Sequence, residues 1–268
     1  MITNAPKVSI ALMILIPAAA MAHGPGGHPP DPNLHVDGSL EECEVHFAPE
    51  LTQASFGRFV REFGSVSAFK LMAPPTTLGQ WGVSIGIEYM AFGMDDKSDA
   101  WNDTFAHPDT THELGSSQEF PKLKLRVGVS EKVDVGAFFT KHFNANYGWV
   151  GVDVKYRLLE QTDRMPISLA LRGAYTKTLF VSDMDMHAGS FEVAAGRTFW
   201  GVLTPYLALG TDMVVARETS DTVDLHHETE VVPHAIAGLE VKYWHLAFGA
   251  EANLGTLTSY QVQVAGVF

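Results

Sequence analysis

The sequence predicts an all-β fold, a transmembrane antiparallel up-and-down β-barrel, and three patterns indicate it. From Trp81 to the C-terminus, apolar residues recur at every second position, as in strands with one polar and one apolar face. Each alternating segment is about 8–13 residues long, close to the roughly 9–11 with which a tilted strand crosses a bilayer. Long and short connections between these segments mostly alternate.

Composition excludes several other classes of protein. Charged residues make up 18% of the 268 residues and the net charge is −13, which argues against non-specific binding to nucleic acid. The chain has one cysteine, so it contains no internal disulfide framework. Beyond the N-terminal segment no run of about 18 apolar residues occurs, which excludes a helical membrane protein.

The N-terminus is typical of a secretory signal peptide. Lys7 is followed by an apolar core from Val8 to Ala20, and Ala20-Met21-Ala22 matches a small-x-small cleavage site. We therefore predict a signal peptide over residues 1–22, cleavage after Ala22, and export of the mature chain.

Residues 23–80 precede the alternating region and differ from it in composition. Residues 23–50 are rich in Gly, Pro and His, and we expect them to be poorly ordered. A short amphipathic helix is predicted from about Glu50 to Phe63, because Phe56, Phe59, Val60 and Phe63 form one apolar stripe. The helix is interpreted as a plug of the lumen, a periplasmic or membrane-surface element, or a helix packed on a soluble core.

The alternation predicts about ten strands over residues 81–268, with eight or twelve as alternatives. Leu125 falls on the apolar outward face and Gly128 on the inward face, so we expect Leu125→Arg to impair insertion and Gly128→Ser to be mild. The predicted strands begin near Trp81, Lys122, Val133, Val150, Ile167, Phe191, Leu207, Ala235, Leu246 and Tyr260.

Connection lengths favour a membrane barrel over a soluble β-sandwich or soluble barrel. The short connections are expected near 130–132, 159–166, 200–203 and 244–245. The longer ones are expected near 94–120, 141–146, 177–187, 217–231 and 255–258. Long outer loops and short periplasmic turns are typical of transmembrane barrels, and aromatic residues cluster at the strand ends.

The final strand, SYQVQVAGVF, ends in Phe268 with apolar or small residues at alternate positions before it. With the signal peptide and the alternating strands, it resembles the outer-membrane β-barrel proteins of Gram-negative bacteria. The resemblance covers Trp81–Phe268 and matches no particular subfamily. It implies location in the cell outer membrane, contact with outer-membrane lipid and lipopolysaccharide, and recognition of Phe268 by the barrel-assembly machinery.

The inward-facing strand positions carry seven basic and seven acidic residues, which cancel. Such a lining favours ion pairs that fill a narrow or plugged lumen over a wide pore. The residues are Lys122, Lys124, Arg126, Lys155, Arg157, Arg172 and Lys242, against Glu88, Asp134, Asp153, Glu192, Asp212, Glu240 and Glu251.

Histidine and methionine residues in the predicted loops give a weak indication of a Cu or Zn site. His187, His226 and His227, with Met184 or Met186, are the candidates because their loops are joined by one hairpin. They have no zinc-finger or HExxH spacing, and ordinary polar loop residues explain them better. No cofactor-binding site is predicted.

A catalytic site is not predicted either. His234 and Asp212 are expected to approach each other on adjacent strands, but no GxSxG motif or serine beside His142 accompanies them. The sequence therefore predicts a narrow channel, a transporter of small solutes, or a structural envelope protein. The alternatives are an outer-membrane protease or lipid hydrolase, and a barrel that binds divalent metal.

Overall fold

The computed structural model describes residues 45–68, 72–105, 116–142 and 147–268, all within one compact unit. The predicted signal peptide and residues 23–44 lie outside the described residues. Two helices and ten strands occur within them. They are α1 Gln53–Ser67, β1 Val83–Gly93, α2 Asp99–Asn102, β2 Ser117–Gly128, β3 Val133–Lys141, β4 Gly148–Leu159, β5 Ser168–Leu179, β6 Met184–Gly196, β7 Leu203–Glu218, β8 Glu228–Tyr243, β9 Leu246–Leu254 and β10 Ser259–Val267.

The strands form a closed antiparallel barrel. Each strand pairs with its neighbours in the chain, and β1 pairs with β10 in a register that places Ser84 opposite Val267. Closure leaves no strand edge with unpaired backbone groups, which is a requirement for strands in lipid. The predicted up-and-down topology and the count of ten strands are confirmed.

The predicted assignment of faces is also confirmed. Lys124 is 4% exposed and points into the barrel, whereas its neighbour Leu125 is 44% exposed and points outward. An outer surface this apolar suits contact with lipid better than contact with water. It includes Ile85, Ile87, Leu123, Val135, Phe139, Val150, Val152, Val154, Leu207, Leu209, Val231, Val262 and Val264.

The two ends of the barrel differ in their connections. The long-loop end holds the connections after β1, β3, β5, β7 and β9, whose described residues are 94–105, 116, 142, 147, 180–183, 219–227 and 255–258. The short-turn end holds 129–132, 160–167, 197–202 and 244–245. The third connection of the long-loop end is much shorter than predicted. Lys177 pairs with His187 and Met184 pairs with Glu218, so the ladders of β5, β6 and β7 continue through residues that the sequence assigned to a loop.

The predicted amphipathic helix is present as α1, a few residues later than expected. Thr52 caps it, because its side-chain oxygen accepts a hydrogen bond from the backbone N–H of Ser55 at 3.2 Å. The apolar stripe of Phe56, Phe59, Val60 and Phe63 is fully buried. In the part of the chain that the structure describes, no helix has the length and apolarity needed to span a bilayer.

Helix α1, hereafter the plug helix, lies inside the barrel at its long-loop end. It packs against β6, β7, β8 and α2. Residues 72–80, hereafter the strap, connect with β1 at the short-turn end, where the Trp81 N–H donates to the Gly128 carbonyl. The sequence left several positions open for this segment. The described residues occupy the lumen, which agrees with the alternative of a plug.

The strap overturns one expectation about the wall. A Cβ atom at Gly128 would lie 1.8 Å from the backbone oxygen of Gly79, which itself has a φ of +82°. The prediction that Gly128→Ser is mild is therefore wrong. The sequence showed that Gly128 faces inward, but it did not show that the backbone of the strap lies against it.

Candidate functional site

The long-loop end of the lumen is closed by packed aromatic rings. The ring of Phe59 lies 4.9 Å from that of Phe63 and 5.2 Å from that of Trp101 on α2. Phe63 in turn lies 5.4 Å from Trp149 at the start of β4. All four rings are fully buried, so this layer excludes water across the contact between helix and wall.

One carboxylate lies within this apolar layer, and its hydrogen bonds are satisfied. Glu62 accepts a hydrogen bond from the indole N–H of Trp101 at 2.6 Å and one from Nε of Arg58 at 2.7 Å. The hydrogen bond with Glu62 raises the pKa of Arg58 above its ordinary value. Burial of Glu62 therefore leaves no unpaired charge in the plug.

Strand β8 holds the plug helix through polar contacts at the rim. Arg61 makes a bidentate ion pair with Glu230, with both N···O distances at 3.0 Å. Gln53 donates to the carboxylate of Glu228 and to the carbonyl of His226, and accepts from the His226 N–H at 2.9 Å. These contacts fix the orientation of the helix, while its apolar stripe is fully buried.

The strap is held by side chains of the barrel wall that bind its backbone. Nζ of Lys124 donates to the Met72 carbonyl at 2.5 Å. Nζ of Lys155 donates to the carbonyls of Pro74 at 3.1 Å and Thr76 at 2.5 Å. Beside Lys155, the carboxylate of Asp134 accepts from the Leu78 N–H at 3.1 Å. In these contacts, wall cations bind backbone carbonyls of the strap and a wall anion binds a backbone N–H.

Below the plug, ion pairs cross between strands of the wall, as the balanced charges predicted. Lys122 lies 3.0 Å from Glu88, Arg126 lies 2.8 Å from Asp153, and Lys155 lies 3.1 Å from Asp134. Removing one partner of such a pair leaves an uncompensated buried charge, whereas the intact pair is close to neutral in stability. Two of the predicted luminal charges differ: Arg157 pairs with exposed Glu160 in a turn, and Lys242 is exposed at the short-turn end.

The predicted approach of His234 to Asp212 is confirmed. Nδ1 of His234 lies 3.0 Å from the Asp212 carboxylate, and its Nε2 lies 3.2 Å from Glu192, which also pairs with Arg172. Ser190 donates to Asp212 at 2.6 Å. Because both imidazole nitrogens face carboxylates and the serine bonds to a carboxylate, the group lacks the nucleophile–base contact of covalent catalysis. It links the adjacent strands β6, β7 and β8 on the luminal face of the wall.

The five candidate metal ligands are not brought together. Met184 and Met186 face inward and are buried in the core with the plug helix, whereas His187, the residue after Met186, faces outward. Successive side chains of a strand point to opposite faces, so these residues cannot share an ion. His187 instead contacts the hydroxyl of Tyr175 and the carboxylate of Asp185.

The other two candidates, His226 and His227, lie in the connection between β7 and β8. In the described ranges no group of three His, Cys, Asp or Glu residues has a metal-binding arrangement. His107 and His112 lie outside the described residues. His142 packs against the rings of Phe120 and Tyr147, and burial lowers its pKa.

Polar space remains beside the strap in the short-turn half. A cavity of about 490 Å³, open in part to solvent, is lined by the strap and by Lys124, Arg126, Lys155, Glu240 and Lys242. We call this cavity the vestibule. A second, much smaller cavity, with room for about one water molecule, shares Ala73 and Lys155 with it and is also lined by Arg172 and Glu192.

Sequence reasoning missed the strap and the residues that bind it. In the sequence, Pro74 and Pro75 indicate only a break in regular structure. The signal that was present is the small size of inward residues where the strap passes: besides Gly128, a Cβ atom at Gly249 would lie 2.8 Å from the Met72 side chain. Inward glycines leave space in a lumen because they have no side chain, and here the strap fills that space.

Comparison with solved structures finds bacterial outer-membrane barrels. An outer-membrane channel from Pseudomonas putida F1 is 8% identical with a TM-score of 0.46, and covers 75% of this chain and 100% of its own. Ail of Yersinia pestis is 14% identical with a TM-score of 0.31 (70% and 99%), and LpxR of Salmonella typhimurium is 8% identical with a TM-score of 0.37 (70% and 100%). No protein-family model and no curated protein matches the sequence. The likeness concerns the barrel fold.

Proposed function

We propose that the protein is an outer-membrane channel for small solutes whose lumen is closed by its own N-terminal segment. One observation carries the proposal: the lumen is filled by a plug helix and a strap rather than by the side chains of the wall alone. A barrel with a purely structural role requires no separate segment in its lumen, because side chains fill a narrow barrel.

The contacts of the wall indicate that the barrel is stable without the plug. The pairs Lys122–Glu88, Arg126–Asp153 and Lys155–Asp134 join strand to strand, and the last of them also binds the backbone of the strap. If the N-terminal segment leaves, these charges keep their partners. The segment is therefore able to open the lumen without exposing unpaired buried charges, which suits a gate.

The proposed orientation places the long-loop end outside the cell and the short-turn end in the periplasm. Trp81, Trp200 and Trp244 are highly exposed at the short-turn end, as expected of an interfacial aromatic ring. In this orientation the outer rim contacts lipopolysaccharide and the apolar belt contacts lipid. The exposed terminal Phe268 is available to the barrel-assembly machinery.

The enzymatic alternative has weaker support. His234 is the buried histidine between carboxylates, and it lacks a nucleophile as partner among the contacts described above. The metal-binding alternative has lost its candidate site, because β6 separates the methionines from His187.

Planar-bilayer conductance tests the gate. The double variant Phe59→Ala/Phe63→Ala removes two rings from the plug, and such truncations cost about 3–5 kcal/mol each in a packed core. We expect rare, brief openings for the unchanged chain and sustained conductance for the variant. Phe139→Ala removes the same ring from the lipid-facing surface and is the matched control, with conductance as in the unchanged chain.

The proposal fails if the plug variant folds and inserts but conducts no more than the Phe139→Ala control. That result would favour a structural envelope protein. Folding is checked on SDS gels, where the folded, unheated barrel migrates faster than the same sample does after heating.

A further inference from the structure

The vestibule contains a buried cation whose hydrogen-bonding capacity is only partly used. Arg126 is 3% exposed, and its Nη2 donates to both oxygens of Asp153, at 3.0 and 2.8 Å. Its Nε and Nη1 atoms are buried and, in the described structure, have no hydrogen-bond partner. A guanidinium cannot lose its charge to relieve this, so these N–H groups require an acceptor from outside the wall.

The surroundings of Arg126 favour a negatively charged acceptor. Lys124, Lys155 and Lys242 line the same vestibule, and Glu240 is its one acidic lining residue among those described. The carboxylates Glu88, Asp153 and Asp134 neutralise Lys124, Arg126 and Lys155 in turn. Lys242 has no carboxylate within ion-pair distance in the described ranges, and it lies at the open end of the cavity.

We propose that the vestibule is a binding site for a small oxyanion, of the phosphate or carboxylate class. Its oxygens accept the free N–H groups of Arg126, while Lys242 contributes charge at the entrance. Charge-assisted hydrogen bonds of this kind are about twice as strong as neutral ones, and a low-dielectric wall strengthens them further.

The site names a substrate class for the proposed channel, and in that role it rests on the proposed function. The binding of an anion does not depend on the proposed function, because the vestibule is open to solvent with the plug in place. An anion preference is also contrary to the net charge of −13, so it reflects the local lining rather than the average of the chain.

Isothermal titration of inorganic phosphate into the refolded full-length chain, in non-ionic detergent at low salt, tests the site. We expect saturable binding. Lys242→Gln removes one charge from the entrance, and we expect its affinity to fall about tenfold, the value of one charge-assisted contact. Lys132→Gln makes the same charge change in an exposed turn at the same end, outside the vestibule, and is expected to bind as the unchanged chain does.

Arg126→Lys separates the donors from the charge. Lysine retains a positive partner for Asp153 but removes the Nε and Nη1 groups, so we expect a loss of at least about tenfold in a barrel that still folds. If this variant does not fold, the proposal is decided by comparing the phosphate affinity of Lys242→Gln with that of Lys132→Gln. Titration with acetate distinguishes a general oxyanion site from one that requires phosphate.

Absence of saturable binding overturns the proposal, as does equal affinity in all variants. The vestibule would then be a hydrated gap. This outcome is separate from the test of the gate: conductance of Phe59→Ala/Phe63→Ala with no phosphate site leaves the channel and removes the anion class. Phosphate binding with no conductance keeps the anion site and removes the proposed channel.

Discussion

The two halves of the lumen are closed by different physical means. In the long-loop half, the plug helix buries Phe59 and Phe63 against Trp101 and Trp149, and the contacts are apolar. In the short-turn half, the wall is crossed by ion pairs such as Arg126–Asp153, and the strap passes beside solvent-accessible space.

Because of this difference, the contacts that close the lumen are not the contacts that stabilise the barrel wall. Apolar contacts are non-directional and scale with buried area. The plug helix can therefore leave as a unit, and the cost is the free energy of burying its apolar face. Buried ion pairs depend on both partners, so loss of either charge destabilises the wall itself. We therefore expect changes in the plug to alter conductance, and changes in the ion pairs to alter the stability of the barrel.

The largest effect on barrel stability is expected from Arg172→Met. Arg172 is the cation paired with Glu192, and its loss leaves that carboxylate with His234 alone. Truncating one side of a buried pair costs about 3–5 kcal/mol. Urea unfolding followed by gel migration measures it. Arg172→Met/Glu192→Gln removes both charges and is expected to recover part of the loss; a single variant as stable as the unchanged barrel would contradict the comparison.

A smaller effect, confined to the plug, is expected from Gly64→Leu. A Cβ atom at Gly64 would lie 2.4 Å from a methyl carbon of Val214 on β7, so a longer side chain pushes the helix from the wall. Overpacking of this kind costs about 1–3 kcal/mol. Bilayer conductance should rise while urea unfolding of the barrel is unchanged.

Gly173→Leu is the control for this variant, because a Cβ atom at Gly173, on the outward face of β5, has nothing within 4 Å. If Gly64→Leu lowers barrel stability as much as Arg172→Met does, the two halves of the lumen are not separable.

The smallest effect is a pH dependence at the edge of the plug. Burial against Phe120 and Tyr147 lowers the pKa of His142 from its ordinary value of 6.5, so the folded state favours the neutral ring. Its packing energy is fully present above that value and is lost as pH falls below it. Near-ultraviolet circular dichroism should change between about pH 7 and pH 5 in the unchanged chain. In His142→Gln this change should be absent, and its persistence would assign the titration to another group.

The fold was predictable because its signals are local. The alternation of residues such as Lys124 and Leu125 records which side of the sheet faces lipid, and a pleated strand translates that period directly into structure. The stripe on α1 was readable for the same reason, with Thr52 setting its start. The approach of His234 to Asp212 followed from adjacent strands and one register.

The site was less predictable because its contacts are distant in the chain. Met184 and His187 resemble loop ligands in sequence, but pairing with β5 and β7 draws them into β6 on opposite faces. Likewise, Gly128 resembles any inward glycine until Gly79 is placed against it. Neither contact has a period or a spacing that a sequence pattern can show.

The sequence by itself determined a ten-stranded barrel with an apolar exterior and a charge-balanced interior, and export through a signal peptide stays a prediction. These follow from composition and from a two-residue period, which depend on neighbours in the chain. Only the tertiary structure decided what occupies the interior. The position of the plug helix, the path of the strap and the free N–H groups of Arg126 depend on which distant segments fill the remaining volume. Burial and hydrogen bonding select that arrangement among many that have the same pattern.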